Sequence, residues 1–261
     1  MNHKPNIGIT IGDINSIGIE VILKIFSDSR MLDICTPIIF ANKSVFDPFT
    51  HLIEDCITHF NVIQSPEQIN HKQVNVYTTW EENIEITPGV LNATGGKYAI
   101  LSLKKATDAL KEGWIEAIVT APIHKTNVQQ NDFPYTGHTP YFKETFNAKD
   151  VVMMLYSETF KVGLLTEHVP LAKVNQYVTF DNLLSKLNII NQSLLRDFGI
   201  TKPKIAVLGL NPHAGDDGLI GNEETDIIIP SLEKIRDEHN IMAYGPYSAD
   251  GYFAHRHYLH F

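Results

Sequence analysis

The 261-residue sequence contains only two cysteines, Cys35 and Cys56. That number excludes a disulfide framework, and with no charged-then-apolar leader after Met1-Asn2-His3-Lys4-Pro5 it predicts a chain of the reducing cytoplasm. Long hydrophobic runs are absent. The longest, such as 151–155 and 227–229, fall far short of the roughly 20 residues that cross a bilayer. Basic charge is in deficit, 21 Lys and Arg against 30 Asp and Glu, so the formal net charge of -9 excludes a general nucleic-acid or anionic-membrane binder. It leaves room for a local basic pocket that takes a small anion. There is no internal repeat, low-complexity tract or flexible linker, no G-x-G-x-x-G and no Walker motif. What is present is 43% hydrophobic residues, enough for a sizeable core in one large domain or two modest ones.

Short β-branched runs at 6–11, 37–41, 75–79, 116–120, 151–155, 161–166 and 204–209 predict strands. Between them, 97–113 carries Ala99, Leu103, Ala106 and Leu110 at helical spacing with Gly113 as a stop. The stretch 180–198 carries a second apolar face ahead of Gly199. A third helix is predicted over 222–239, with Asn222 as cap and Glu223, Glu224 and Asp226 placed against the positive end of the dipole. Alternating strands and helices predict an α/β fold with a largely parallel sheet. The C-terminal run from Ala254 to Phe261 predicts a short helix or an irregular end, and its His255, His257 and His260 read as a solvated face.

Three constellations could carry chemistry. Gly12-Asp13-Ile14-Asn15-Ser16-Ile17-Gly18 turns a strand into an apolar helix, equally as a structural turn or as a ligand loop, and Asp13 could cap that helix. Thr120-Ala121-Pro122-Ile123-His124-Lys125 sits at the carboxyl end of a strand, where open α/β sheets bind ligands, and is followed by Gly137-His138-Thr139. Lys125 offers a point charge for phosphate or carboxylate, or is merely solvated; His138 and Thr139 offer polar contacts or a turn. His168 and His213 each follow an apolar strand by a few residues and suit a divalent ion such as zinc or cobalt, or serve structurally. Asp250 is an additional carboxylate or a turn residue.

Taken in order, Gly8 to Asp13 with Ile17-Gly18-Ile19-Glu20, the 120–125 loop, Gly137-His138-Thr139, the 151–155 run, 166–171 and Gly209-Leu210-Asn211-Pro212-His213-Ala214-Gly215 with Glu223-Glu224 resemble the 4-hydroxythreonine-4-phosphate dehydrogenase (PdxA) family across the chain. The resemblance implies a two-domain isocitrate/isopropylmalate dehydrogenase-like α/β fold rather than a Rossmann fold, with a first domain over 1–125 and a second over 126–261. It implies oxidation of 4-phosphooxy-L-threonine with decarboxylation to 3-amino-2-oxopropyl phosphate, in pyridoxal phosphate biosynthesis. NAD (or NADP) takes the hydride, and a divalent metal (zinc, cobalt or magnesium) assists. His168 and His213 match metal ligands, His138 and Thr139 match substrate contacts, and Asp250 and Lys125 match catalytic positions. Asp250 is then the acidic residue near the metal, and Lys125 the lysine that binds an anionic group. No residue is matched to the dinucleotide. A homodimer with a shared active site is implied.

Two departures accompany the resemblance. The first motif reads Gly-Asp-Ile-Asn-Ser-Ile-Gly where many members have Gly-Asp-Pro-Ala-Gly-Ile-Gly. Family chains also continue past the position of Phe261, through a His-Asp-Gln-Gly segment that supplies a third metal histidine. The chain as given is therefore expected to be inactive or severely impaired. The alternatives are a dehydrogenase of a related phosphorylated four-carbon acid, threonate or erythronate phosphate, and a truncated inactive homologue. Acyl transfer to phosphate, on a similar fold, needs no catalytic metal, and the pair His168 and His213 argues against it.

Overall fold

The computed structural model describes residues 4–50, 53, 56, 57, 59–129 and 133–261; residues 1–3, on which part of the leader reading rests, lie outside them. The chain forms two compact units, Met1–Tyr141 and Phe142–Phe261. The sequence expected the division after residue 125.

The first unit runs β1 (Asn6–Thr10), α1 (Gly18–Ser27), α2 (Met31–Ile34), β2 (Thr36–Ala41), α3 (Asp47–Thr50), β3 (Asn61–Ile63), β4 (Asn75–Thr78), α4 (Ala93–Glu112), β5 (Ala117–Thr120) and α5 (Lys125–Gln129), and ends in the first residues of α6 (His138–Thr145). Its five strands form one sheet in the order β3-β4-β2-β1-β5, every pair parallel. A parallel strand needs cover on both faces, so its sequence reads as a continuous apolar run. β2, Thr-Pro-Ile-Ile-Phe-Ala, is buried at every position. On α4 the stripe Ala99, Leu103 and Ala106 is buried; Asn92 caps the helix by accepting the Gly95 N–H, and Gly113, at φ +80°, closes it in the left-handed region only glycine enters freely. β1 lies between β2 and β5 in parallel register, Thr10 opposite Phe40 and Thr120. The carboxyl ends of β1 and β5 are therefore neighbours.

The second unit runs β6 (Met154–Tyr156), β7 (Lys161–Gly163), α7 (Phe180–Arg196), β8 (Ile205–Leu208), a π-helical turn over Glu224–Ile228, α8 (Ile229–His239), β9 (Ala243–Tyr247) and α9 (Ala249–Ala254). β6 and β7 pair antiparallel and β8 and β9 parallel. The antiparallel pair β6 and β7 is the exception among strands that otherwise pair parallel, as the sequence reading expected of a largely parallel sheet. α7 buries Leu183, Leu187 and Leu194 and starts at Thr179, which accepts the Asn182 N–H. With Ile228, Leu232, Ile235, Ile241 and Ala243, two of these, Leu183 and Leu187, form this unit's apolar core. Among the described residues no helix is long and apolar enough to cross a membrane.

The third predicted helix needs correction. Asn222 provides no side-chain cap; the helix opens in a π-helical turn with Glu223 at the N-cap position, and of the acidic residues in its first turn, Glu224 and Asp226, Glu224 is buried. α8 proper begins at Ile229, with Pro230 next to it supplying a residue that needs no helical donor.

Candidate active site

In the first unit, β1 delivers Gly12 and Asp13 against the loop that follows β5. Gly12 has φ +66°, and a Cβ there would lie 2.2 Å from the Pro122 carbonyl oxygen, so only glycine fits the approach. The Asp13 N–H donates to that same carbonyl at 3.0 Å. Asp13 does not cap α1, whose N-terminal residue is Ile17 with no side-chain cap. Its carboxylate is buried, Oδ1 accepting the Asn15 N–H at 2.9 Å and Oδ2 the Asn127 side-chain amide at 2.8 Å. A Cβ on Gly95 would sit 2.3 Å from Oδ1. Asp13 therefore ties the turn after β1 to α4 and to α5.

Three backbone N–H groups of this turn are used within the protein, Asp13 toward Pro122, Asn15 toward the Asp13 side chain and Ser16 toward the Asp13 carbonyl. A pyrophosphate cradle needs such donors free. Those three donors are already committed.

Lys125 opens α5 and is exposed just past the carboxyl end of β5. His138 and Thr139 are the first two residues of α6, with His138 half-buried and Thr139 exposed. Burial holds the His138 imidazole below its ordinary pKa. It is therefore neutral near pH 7, with one N–H to give and one lone pair to receive.

The second unit carries the other three predicted residues. His168 lies on the loop after β7 at φ +54°, its imidazole largely exposed and its Nδ1 3.8 Å from a carboxylate oxygen of Glu167. His213 follows β8 in a run of left-handed residues: His213 (φ 53°), Ala214 (55°), Gly215 (85°), Asp216 (46°) and Asp217 (52°). Each non-glycine residue held there costs on the order of 1–2 kcal/mol. His213 Nδ1 is 3.1 Å from Asp250 Oδ2, and Asp250 stands in the first turn of α9. The Ser248 hydroxyl, hydrogen-bonded to Asp250 Oδ1, is the main cause holding the Asp250 carboxyl below its usual range, helped by the N–H groups of Asp250 and Gly251 and by His213. An ionised Asp250 on Nδ1 selects the tautomer that leaves the lone pair on Nε2, the arrangement by which carboxylates orient ligating histidines.

The structure thus joins His213 to Asp250 and pairs His168 with Glu167. Among the described residues no three His, Cys, Asp or Glu side chains are gathered closely enough to hold a metal ion. The donor types nonetheless suit a divalent ion: two imidazoles, one oriented by a carboxylate, with further positions left to substrate oxygens, water or other groups.

Sequence reasoning missed Glu224. Its side chain is 1% exposed. Oε1 accepts the Asn211 N–H at 2.7 Å and Oε2 the Asn211 side-chain amide at 2.9 Å, while the same amide reaches Glu223 at 2.8 Å. Burial alone would raise the carboxyl's pKa, but the Asn211 donors and nearby backbone N–H groups outweigh it and leave the group below its ordinary value. The missed signal is periodicity. Glu224 stands at four-residue steps from Ile228 and Leu232, both buried, so the helix's apolar face carries it inward.

The family model for the pyridoxal phosphate biosynthetic protein PdxA matches residues 33–261. The chain belongs to the PdxA family. The 4-hydroxythreonine-4-phosphate dehydrogenase of Bacteroides thetaiotaomicron is 39% identical over 260 residues, 99% of this chain and 71% of that protein. The protein of the same name from Sulfurihydrogenibium is 33% identical over 89% of this chain and 71% of its own length. Among solved structures, 4-hydroxythreonine-4-phosphate dehydrogenase from Klebsiella pneumoniae superposes with a TM-score of 0.86 at 27% identity, covering 98% of this chain and 78% of that one. The enzyme from Burkholderia phymatum gives 0.84 at 27% identity, with 97% and 77% covered. The PdxA chain accordingly has the isocitrate/isopropylmalate dehydrogenase-like α/β fold expected of it and is an oxidoreductase family member with a role in pyridoxal phosphate biosynthesis.

Proposed function

We propose that this PdxA chain carries a site for NAD-dependent (or NADP-dependent) oxidation of 4-phosphooxy-L-threonine, followed by decarboxylation to 3-amino-2-oxopropyl phosphate. The observation that carries the reading is the contact of His213 with Asp250 on a strained loop, in a chain 39% identical to a relative named for this reaction. When bound, the dinucleotide supplies the hydride acceptor, and a divalent ion (zinc, cobalt or magnesium) supplies positive charge at the substrate's oxygens. His168 and His213 would hold that ion. No residue of the chain is named for the dinucleotide.

The chain's own groups do the rest. Asp250, ionised by its hydrogen bonds, fixes the His213 ring and stands ready to receive a hydroxyl proton. Neutral His138 and the Thr139 hydroxyl bind and orient the polar body of the substrate without adding charge to it. Lys125 offers its ammonium to an anionic group of the substrate, phosphate or carboxylate.

The reading extends to a cytoplasmic homodimer whose active site is shared. The two free cysteines support a reducing compartment. The net charge of -9 supports small-molecule rather than nucleic-acid or membrane partners.

Purified protein is mixed with NAD, a divalent metal salt and 4-phosphooxy-L-threonine, phosphorylated threonate and erythronate serving as comparison substrates, and NADH absorbance is followed. Any NADH formed is expected to require the metal and to disappear in His213→Ala. Turnover that survives both chelation and His213→Ala would sink the reading.

A further inference from the structure

We propose that Glu224 is a positioning residue for His213, a buried carboxylate that holds the left-handed loop in the one shape that brings the imidazole to Asp250. The proposal rests on the reading of His213 as a site residue. Five consecutive residues, His213 to Asp217, have positive φ, and only Gly215 among them lacks a Cβ. Such a run persists only where its surroundings determine it fully.

Glu224 supplies that determination from several directions. Its two oxygens accept both Asn211 donors, the backbone N–H and the side-chain amide, which fixes the residue two places before His213. The Asn211 carbonyl in turn accepts the Ala214 N–H at 3.1 Å, directly behind the imidazole. Gly215 passes so close that a Cβ there would lie 2.8 Å from Oε2, and Gly209, where the chain leaves β8, would place one 3.1 Å from Oε1. A Cβ at Gly215 would therefore collide with the carboxylate, and one at Gly209 would meet Ala214 first, 2.8 Å from its Cα, with the carboxylate in tight contact beside it. Glu224 is itself held in the π-helical turn that precedes α8, on the same buried face as Ile228 and Leu232. On the far side, the Gly209 N–H donates to the Tyr247 carbonyl at 2.8 Å, which fixes the start of the loop to the strand that leads into Ser248 and Asp250.

Glu224→Gln keeps the volume but replaces one of two acceptors with a donor facing a donor. The test uses the full chain labelled on histidine, with the His213 ring resonances assigned by their loss in His213→Gln, and reads the nuclear Overhauser contact between that ring and the side chain of Asp250. In the unsubstituted chain the contact is present. In Glu224→Gln the contact is expected to vanish while the signals of the other histidines stay in place; Glu223→Gln, which touches only the outer side of the Asn211 amide, is expected to retain it. A folded Glu224→Gln chain with the His213 contact intact overturns the proposal. If Glu224→Gln does not fold, Asn211→Ala decides, since it leaves the carboxylate in place and removes one of its two partners: a weakened contact supports the proposal and an unchanged one overturns it. Because the readout needs no turnover, a chain without dehydrogenase activity would count against the proposed function and leave this test standing.

Discussion

β2 of the first unit is buried at all six positions of Thr36–Ala41, whereas β8 of the second, Ile205–Leu208, is half-buried at all four although its side chains are as apolar. The difference lies in what each strand is given to pack on. β2 is central in a five-stranded parallel sheet and faces core on both sides, with Ile38, Ile39 and Phe40 fully enclosed. β8 pairs with β9 alone and borders a cavity of about 680 Å³ whose other walls include β7, α7 and α9. One unit is therefore held chiefly by apolar burial. The other has the less enclosed apolar core, and it carries three of the residues to which chemistry is assigned above, His168, His213 and Asp250.

The largest effect should come from cutting the first unit's core. Phe40→Ala removes a fully buried ring and is expected to cost about 3–5 kcal/mol of stability. Val207→Ala, at a half-buried position of β8, should cost about 1 kcal/mol. Urea unfolding of both variants checks the contrast, and equal losses would break it.

The same difference explains what was legible in the sequence. β1, β2, β4, β5 and α4 follow from apolar runs and spacing because in the first unit burial and pattern agree. In the second, the predicted strand over 151–155 slides to Met154–Tyr156, and β9 went unread because Gly245-Pro246 interrupts it; a strand with proline is tolerated when it has a free edge. β3 is three residues long and gives no alternation to read. Of the site, the types at His138, His168, His213 and Asp250 were visible, and the pairing of His213 with Asp250 was not, because it depends on two loops after different strands. In the sequence Asp13 reads as part of a structural turn or a ligand loop, or as a cap, and Glu224 as a dipole charge. Both are buried acceptors, and local sequence alone does not distinguish a carboxylate facing water from one facing a loop's N–H groups.

Asp13 allows the comparison to be sharpened inside the first unit. Asp13→Ala removes the acceptor for the Asn15 N–H and the Asn127 amide in a buried setting, with an expected cost of about 1–3 kcal/mol. Thermal unfolding reads the loss. A loss as large as that of Phe40→Ala would mean that this one buried carboxylate holds the unit as firmly as a core ring does.

Acid should act on the second unit through Glu224. The folded carboxyl titrates below its ordinary value of 4.5. The ionised form is favoured by the fold, so its contribution is complete above that value and is lost as pH falls through the lower folded one. Unfolding free energy measured from pH 6 downward should therefore fall more steeply in the unsubstituted chain than in Glu224→Gln, which cannot titrate there. Parallel slopes would show that the carboxylate's hydrogen bonds to Asn211 do not stabilise the folded state.

The smallest effect on stability belongs to Asp250, and it separates holding the fold from doing chemistry. Asp250 and His213 are both more than half exposed, so water screens their attraction and ordering two side chains offsets most of what remains. Asp250→Asn should leave the melting temperature where it was. The substitution keeps the shape but withdraws the charge that favours Nδ1–H on His213, so the ring loses its fixed tautomer. Any dehydrogenase turnover should then fall by at least about tenfold, the size of loss seen when partners of ligating histidines are removed. A variant that melts normally and turns over normally would show that the contact is incidental. One that melts early would place Asp250 among the groups that hold the second unit together, against the division drawn here.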